Sequence, residues 1–369
     1  MEAIQVPFKR FDYLQEKVID PGYCHSCGAC ATFCNRVVME KVPKLVGGCP
    51  FQGSTYFENT CVCYGHCPMV STVDPKHVFG RPAEDELLGH YRGIKAARSK
   101  DETILNNAQD GGAVTTILKA ALDAGVIDAA ITVCRDDQWR PAPKLVTSSR
   151  ELKRTCGSTY APAPVINLLG KVSREKTAGK NTIGSIAVVG MPCQIQALRN
   201  FEYGLLYNNG LSPTSELKIY AISLFCEGIY DYDRLLPMLN TDITKVRKMD
   251  IKGKLMVHSD EIFCIPLKRV RAAMLDACLV CRDFAGELAD ISVGSIGSPQ
   301  GWSTMVLRSG RGTELLRDAD IADQLQMTDE VDLAAVKDAA ARKKERVMEE
   351  IRRRRAQGIP LPPVLDGVV

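Results

Sequence analysis

Cys24, Cys27, Cys30 and Cys34 form the run CHSCGACATFC, a C-x2-C-x2-C-x3-C spacing. Thiolates so placed can wrap one inorganic core, three from a tight turn and a fourth from elsewhere, which is how iron–sulfur clusters are held in bacterial-type ferredoxins. A looser set follows at Cys49, Cys61, Cys63 and Cys67, the last preceding Pro68. Eight thiolates suffice for two tetranuclear sites. If the last cysteine of each run serves the other site, one site is Cys24, Cys27, Cys30 and Cys67, and the other is Cys34, Cys49, Cys61 and Cys63. Cys61-Val62-Cys63 is one residue tighter than the usual pair. Zinc is the competing reading, because tetrahedral sites also use cysteine pairs. Disulfides fit less well: the opening MEAIQVPFKRFDYLQEK has no apolar signal core, which suggests a reducing cytoplasm.

Four more cysteines fall where an α/β domain builds a site. Cys193 follows an expected strand at 185–189, and Cys226 follows one at 218–225. If those strands are parallel neighbours, their C-terminal ends share one crevice, the usual ligand position of open α/β sheets. Cys278-Leu-Val-Cys281 supplies a C-x2-C pair and completes a third set of four. Scattered core cysteines are the alternative. Cys134, Cys156 and Cys264 have no partner at ligand spacing and read as small buried hydrophobes.

These groups need a scaffold, and the rest of the chain offers one. With 369 residues and 45% hydrophobic content, two or three domains can each bury a core. The balance of 47 basic and 44 acidic side chains gives no nucleic-acid footprint, with Arg352–Arg355 the one basic cluster. No apolar run approaches the roughly 20 residues that cross a bilayer, so any membrane contact is expected through a partner. Residues 1–80 are rich in Cys, Gly and Pro and are expected to fold around metal rather than around a core. From about residue 90 strands and amphipathic helices alternate. The pattern predicts helices at 112–124 and 193–200, strands at 129–134, 185–189, 218–225 and near 289–295, and a long helix over 333–357 stopped by Gly358 and Pro360. The expected class is α/β: an open mixed sheet with flanking helices over 81–310, a small ferredoxin-like α+β domain over 1–80 before it, and a helical tail over 311–369 after it.

Asp110-Gly111-Gly112 immediately precedes a helix, where backbone amides and the positive end of the dipole can face a diphosphate. No G-x-G-x-x-G is present, and the glycines of GSIGSPQG at 294–301 have the wrong spacing, so Rossmann-type nucleotide binding is not supported.

QDGGAVTTILKAALDAGVID at 109–128, MPCQIQALR at 191–199, LFCEGIYDY at 224–232 and CLVCRDFAGELADISVGSIGSPQGWSTMVLRSGRG at 278–312 resemble the β subunit of coenzyme F420-reducing hydrogenase and its relatives. The resemblance runs from about residue 90 to the end, including the basic tail helix. It implies a fold that binds FAD and the deazaflavin F420, with one [4Fe-4S] cluster on Cys193, Cys226, Cys278 and Cys281. It also implies that Asp110, Gly111, Gly112, Ala113, Val114 and Thr115 line the FAD together with Ser298, Pro299, Gln300, Gly301, Trp302 and Ser303. Gly157, Ser158, Thr159 and Tyr160 join them. Two departures are Cys226-Glu227-Gly228 and Cys156.

The eight-cysteine extension is foreign to that hydrogenase component and looks instead like the electron-input component of F420H2 dehydrogenase. On this likeness the chain is an archaeal, methanogenesis-linked, F420-dependent oxidoreductase carrying FAD and three [4Fe-4S] clusters, partnered by other subunits of an electron-transfer complex. It would be cytoplasmic, or peripheral on the inner face of a membrane complex. Hydride would pass from reduced F420 to FAD, and single electrons would leave through the clusters. No side-chain acid or base is required; His258 reads as a surface residue, and Lys95, Arg98, Lys252, Lys254 and Lys268 are candidates for the acidic F420 tail. The alternatives are a hydrogenase or related component running toward F420 reduction, and an electron-transfer adaptor with no substrate of its own.

Overall fold

A computed structural model of the chain describes residues 9–32, 34–49, 61–155, 157–203, 216–319 and 321–367. The N-terminal part contains α1 (Phe11–Leu14), an antiparallel hairpin of β1 (Val37–Met39) and β2 (Pro43–Leu45), α2 (Val62–Gly65) and α3 (Pro75–Phe79). Asp74 caps α3 by accepting from the Lys76 amide at 2.8 Å, and Gly80 ends it with a left-handed φ of 74°.

The larger part is built on an eight-stranded mixed sheet. Its elements are β3 (Gly93–Ser99), α4 (Glu102–Asn107), α5 (Ala113–Asp123), β4 (Ala129–Arg135), β5 (Pro141–Val146), α6 (Val165–Thr177), β6 (Ser185–Gly190), α7 (Pro192–Tyr203) and β7 (Lys218–Leu224). After α8 (Tyr232–Leu235) comes a separate antiparallel sheet of β8 (Lys248–Ile251), β9 (Lys254–His258) and β10 (Ile262–Pro266). The chain continues through α9 (Leu267–Val270), α10 (Asp276–Leu279), β11 (Ile291–Gly294), β12 (Ser303–Leu307), α11 (Gly310–Asp318), β13 (Leu325–Thr328) and α12 (Leu333–Ala356).

Strand order in the large sheet is β13-β3-β12-β11-β7-β6-β4-β5. β4, β6, β7 and β11 run parallel, whereas β12, β3, β13 and β5 pair antiparallel with their neighbours. Parallel strands need cover on both faces and therefore read as continuous apolar runs; Ile186, Ala187 and Val188 of β6 are fully buried. One face packs Leu169 of α6 and Leu198 of α7, and the other packs Ile117 of α5 and Leu315 of α11. The expected neighbours pair in register from Ser185↔Lys218 to Gly190↔Ser223.

Two expectations change. Residues 1–80 have an apolar core as well as cysteines, and it is shared: Phe11, Leu14, Tyr23 and Tyr64 pack with Val347 and Ile351 of α12. Cys264 is exposed because its strand, β10, turns one side to solvent, and Cys134 is only half-buried because it lies at the open C-terminal end of β4; Cys156 lies outside the described residues.

Along α12 the buried positions are Val336, Ala339, Ala340, Lys343, Val347, Ile351 and Arg354, a stripe at helical spacing in which two cations replace apolar residues. No helix among the described residues is long and apolar enough to cross a membrane.

Candidate functional site

The parallel pairing of β6 and β7 decides where two of the cysteines go. β6 ends at Gly190, Pro192 opens α7, and Cys193 lies in its first turn. Cys226 follows β7, its amide donating to the Phe284 carbonyl at 2.9 Å. Cys278 sits on α10, and the Ile229 amide donates to its sulfur at 3.4 Å. Cys193 is in electrostatic contact with Cys281, Cys226 and Cys278, so the four thiols expected to act together are brought together. Burial, then the neighbouring Cys226, pushes the Cys278 thiol up to about 12, and burial likewise raises Cys193 and Cys226. Thiols held this way resist ionisation until a bound cation displaces the protons.

A buried cation already faces them. Lys343 of α12 is 1% exposed; its ammonium donates to the carbonyls of Cys226 and Asp283, each at 2.7 Å, and lies 3.9 Å from the Cys281 sulfur. Three turns on, Arg354 donates to the Tyr23 hydroxyl at 2.9 Å and reaches Asp276 of α10 at 3.3 Å, while Tyr23 donates to the Pro360 carbonyl at 2.7 Å. The C-terminal helix thus ties the N-terminal turn to the segment bearing Cys278.

Cys24, Cys27, Cys30 and Cys67 line one apolar cavity with Leu14, Val18, Met39 and Met69. The CHSCGAC turn is clamped onto α6: the Ile166 amide donates to the Cys27 carbonyl at 3.0 Å, and Gly28, at φ 86°, would bring a Cβ within 2.7 Å of Asn167. The Ser26 amide donates to the Cys24 sulfur at 3.3 Å. His25, also on this cavity, is fully buried and held neutral, down to about 4, by burial and then by Lys343. In the remaining group Cys61, Cys63 and Cys34 are electrostatic neighbours, with Cys61 and Cys63 sharing a hydrogen bond that keeps Cys63 protonated. Cys49 is placed near Arg10. The groups also follow one another in series, since Cys193 is an electrostatic neighbour of Cys27, and Cys63 of Cys30. Among the described residues no three His, Cys, Asp or Glu side chains converge on a point that would hold a single metal ion.

The three loops assigned to the flavin by resemblance also meet. The Gly111 amide donates to Ser303 Oγ at 3.2 Å, Asp110 bonds Ser295, and Tyr160 is an electrostatic neighbour of Asp110 and a hydrogen-bond partner of Ser158. Burial raises the Asp110 carboxyl above its usual range, opposed by Ser295, Lys252 and Lys248. The glycines here are needed by the fold itself. A Cβ on Gly111 would stand 2.4 Å from the Ala97 carbonyl oxygen, and Gly112, at φ 69°, would meet Ile104 at 2.7 Å. Bulky substitutions at this pair therefore strain the backbone whatever binds nearby. Thr115 lines a second cavity, of about 170 Å³, with Asn107, Lys119 and Lys153. Ala113 is buried and Val114 half-buried on α5; Pro299 and Gln300 are exposed, Ser298 shares a 2.6 Å hydrogen bond with Thr304, and Trp302 is half-buried. Gly157 is exposed and Thr159 half-buried.

Several residues the sequence did not single out complete this region. Asp250 of β8 accepts from Gln109 at 2.7 Å and pairs with His258 at 2.8 Å, so His258 is a partnered residue rather than a free surface one. Lys248 donates to the Ala108 carbonyl at 3.1 Å. Of the tail candidates, Lys252 faces Asp110, while Lys95 is engaged by Asp329 at 2.6 Å, Arg98 by the Gly301 carbonyl at 2.9 Å, and Lys254 and Lys268 stand exposed elsewhere. Tyr230 stands between the two regions: its ring is 6.4 Å from that of Tyr160, and it neighbours Cys226 and Cys278. Glu227, one of the sequence departures, pairs with Arg346 of α12 at 2.8 Å.

Two family models match the chain: that of the N-terminal part of the coenzyme F420 hydrogenase/dehydrogenase beta subunit over residues 94–170, and that of its C-terminal part over 183–332. Over 360 residues the chain is 32% identical to the coenzyme F420-dependent sulfite reductase of Methanocaldococcus jannaschii, an alignment covering 94% of this chain but 53%, about half, of that protein. It is 32% identical to one of the F420H2 dehydrogenase subunits of Methanosarcina mazei over 80% of this chain and 82% of that one. A chain of the F420-reducing [NiFe] hydrogenase complex from Methanosarcina barkeri superposes with a TM-score of 0.68 at 30% identity, covering 76% of this chain and 97% of that one.

Proposed function

The chain belongs to the family of coenzyme F420 hydrogenase/dehydrogenase beta subunits, and from that premise we propose that it oxidises reduced coenzyme F420, accepting hydride at FAD and passing single electrons through three [4Fe-4S] clusters to a partner complex. The bound flavin would supply the exchange between two-electron hydride chemistry and one-electron cluster chemistry. Residues 1–80 are then a ferredoxin-like domain, 81–310 the FAD- and F420-binding domain and 311–369 the tail. The observation that carries this reading is the series of electrostatic neighbours from Asp110 to Tyr160, Tyr230, Cys226 and Cys278, then from Cys193 to Cys27, and from Cys30 to Cys63.

The residues fit the groups proposed for them. Buried Cys193 and Cys278, with half-buried Cys226 and Cys281 beside them and the Lys343 ammonium facing Cys281, Cys226 and Cys278, suit an anionic cluster. Asp110, Ser158 and Tyr160 would hold the flavin polar edge, and half-buried Trp302 offers its ring system a flat face. Lys252, exposed and facing Asp110, would offer its charge to the anionic F420 tail.

Anaerobically reconstituted protein should contain about twelve irons per chain, and F420H2 should bleach its flavin absorbance. Iron near four per chain removes the N-terminal clusters, stoichiometric zinc replaces them, and protein that binds no flavin favours the adaptor reading. Likeness to the F420-reducing hydrogenase supports a second reading, with the same groups running toward F420 reduction; a reduced one-electron donor would then generate F420H2. For the pocket, Trp302→Ala should lower flavin occupancy several-fold and leave iron content and melting temperature close to those of the parent. Full flavin occupancy would make Trp302 a packing residue.

A further inference from the structure

We propose that Lys343 is the fixed positive charge that sets the reduction potential of the cluster held by Cys193, Cys226, Cys278 and Cys281. The inference rests on the reading of those four cysteines as cluster ligands, and it concerns a helix that lies beyond the segments matched by the family models, which end at residue 332.

α12 is a surface helix whose inward stripe is apolar at Val336, Ala339, Ala340, Val347 and Ile351 and ends on Arg354, and a lysine in the middle of that stripe carries a cost. Removing an ammonium from water is worth several kcal/mol against folding unless an anion and hydrogen bonds compensate. Two carbonyls at 2.7 Å take two of its protons. Neither carries a formal charge. The acidic groups that face it are the thiols, anionic once they hold a cluster, Cys281 first, then Cys226 and Cys278, with Asp283 after them. Asp283 is already committed, accepting from the amides of Gly286 at 2.7 Å and Glu287 at 3.1 Å. Of the neighbouring cations of α12, Lys344 is paired with Glu287 and Arg346 with Glu227. The charge of Lys343 is therefore available to the sulfurs of Cys281, Cys226 and Cys278.

Reduction at this site adds one electron, drawn in turn from F420H2 by way of the flavin, and no proton, so the net charge falls by one. A buried ammonium beside the sulfurs favours that more negative state, and cluster potentials respond to nearby charge and to hydrogen bonds on sulfur. Lys343 also holds the Cys226 carbonyl and is an electrostatic neighbour of His25 in the CHSCGAC turn, so its field spans the junction between this site and the next.

The test is EPR-monitored potentiometry on the intact holoprotein, with the signal of this cluster identified as the one absent from Cys278→Ser. Lys343→Met removes charge and hydrogen bonds, Lys343→Gln keeps a donor without charge, and Lys343→Arg keeps the charge. In Met and Gln the one-electron equilibrium should shift about tenfold toward the oxidised cluster, which is 59 mV for n = 1, while the signals of the other two clusters stay and Arg remains near the parent. Loss of this cluster from Met and Gln with retention in Arg supports the same role. A parental potential in Gln, or loss of the cluster from Arg as well, overturns it. Should Cys278→Ser lose no cluster signal, the ligand reading fails instead, independently of any Lys343 result.

Discussion

Cys278→Ser is expected to leave flavin reduction by F420H2 intact and to cut steady-state reduction of a one-electron acceptor by orders of magnitude. Cys278 is fully enclosed, accepts a hydrogen bond from the Ile229 amide at 3.4 Å and neighbours Cys226 and Cys281. Serine keeps the shape of the site but supplies a hydroxyl, a poor substitute for a soft thiolate on iron. None of the loops bearing Asp110, Ser158 or Trp302 includes Cys278, so the pocket proposed for the flavin survives. Stopped-flow absorbance should show the flavin bleaching at close to the parental rate. Acceptors that dock at the N-terminal clusters should then be starved, and dyes that take electrons at the flavin should be far less affected. Unchanged turnover with the former acceptors would place these four cysteines off the electron route.

The second large effect concerns the frame. Arg308 is fully buried and donates to the carbonyls of Leu88 at 2.6 Å, His90 at 2.8 Å and Ala285 at 2.9 Å, and to Ser292 Oγ at 2.8 Å. Burial lowers its pKa to about 10, so it stays charged at neutral pH. It ties the entry to β3, the end of β12 and the loop after Cys281 to one point. Arg308→Met leaves three carbonyls without a donor, at about 1–3 kcal/mol each before relaxation, and about 3–5 kcal/mol is expected overall for breaking such a buried charged network. The apparent melting midpoint should fall by roughly 5–10 °C. Lysine should not rescue it, because an ammonium cannot reproduce the planar fork. The exposed Arg317→Met, which loses a pair with Asp318, should melt within a degree or two of the parent. A parental melt for Arg308→Met would mean that water satisfies those carbonyls and that the network adds little.

How much of this was legible follows from what each feature depends on. Ligand spacing is local, so the three thiol groups could be listed from the chain, and the grouping of Cys24, Cys27 and Cys30 with Cys67 required only the crossed pattern. The β6–β7 neighbourhood was legible because buried parallel strands are continuous apolar runs. β8, β9 and β10 were not, since KMDI and KLMVH alternate with charge on a half-solvated sheet, and neither were β3 and β13, whose pairing joins residues more than 200 positions apart. His258 and Asp250 depend on that same small sheet. Lys343 did leave a trace, a cation in phase with Val336, Ala340, Val347 and Ile351, which a count of the helical face would have exposed.

Because Val347 and Ile351 help to enclose Phe11, Leu14 and Tyr64, the wall of the first cysteine domain is made last. Synthesis at about 5–20 residues per second puts on the order of 15–60 s between the emergence of Cys67 and that of Ile351. For that interval the N-terminal thiols have left the ribosome without the surface that closes over them. On the proposed reading of those thiols as cluster ligands, the order of the chain would present an open site to iron delivery first and a sealed one afterwards, with α12 closing it last.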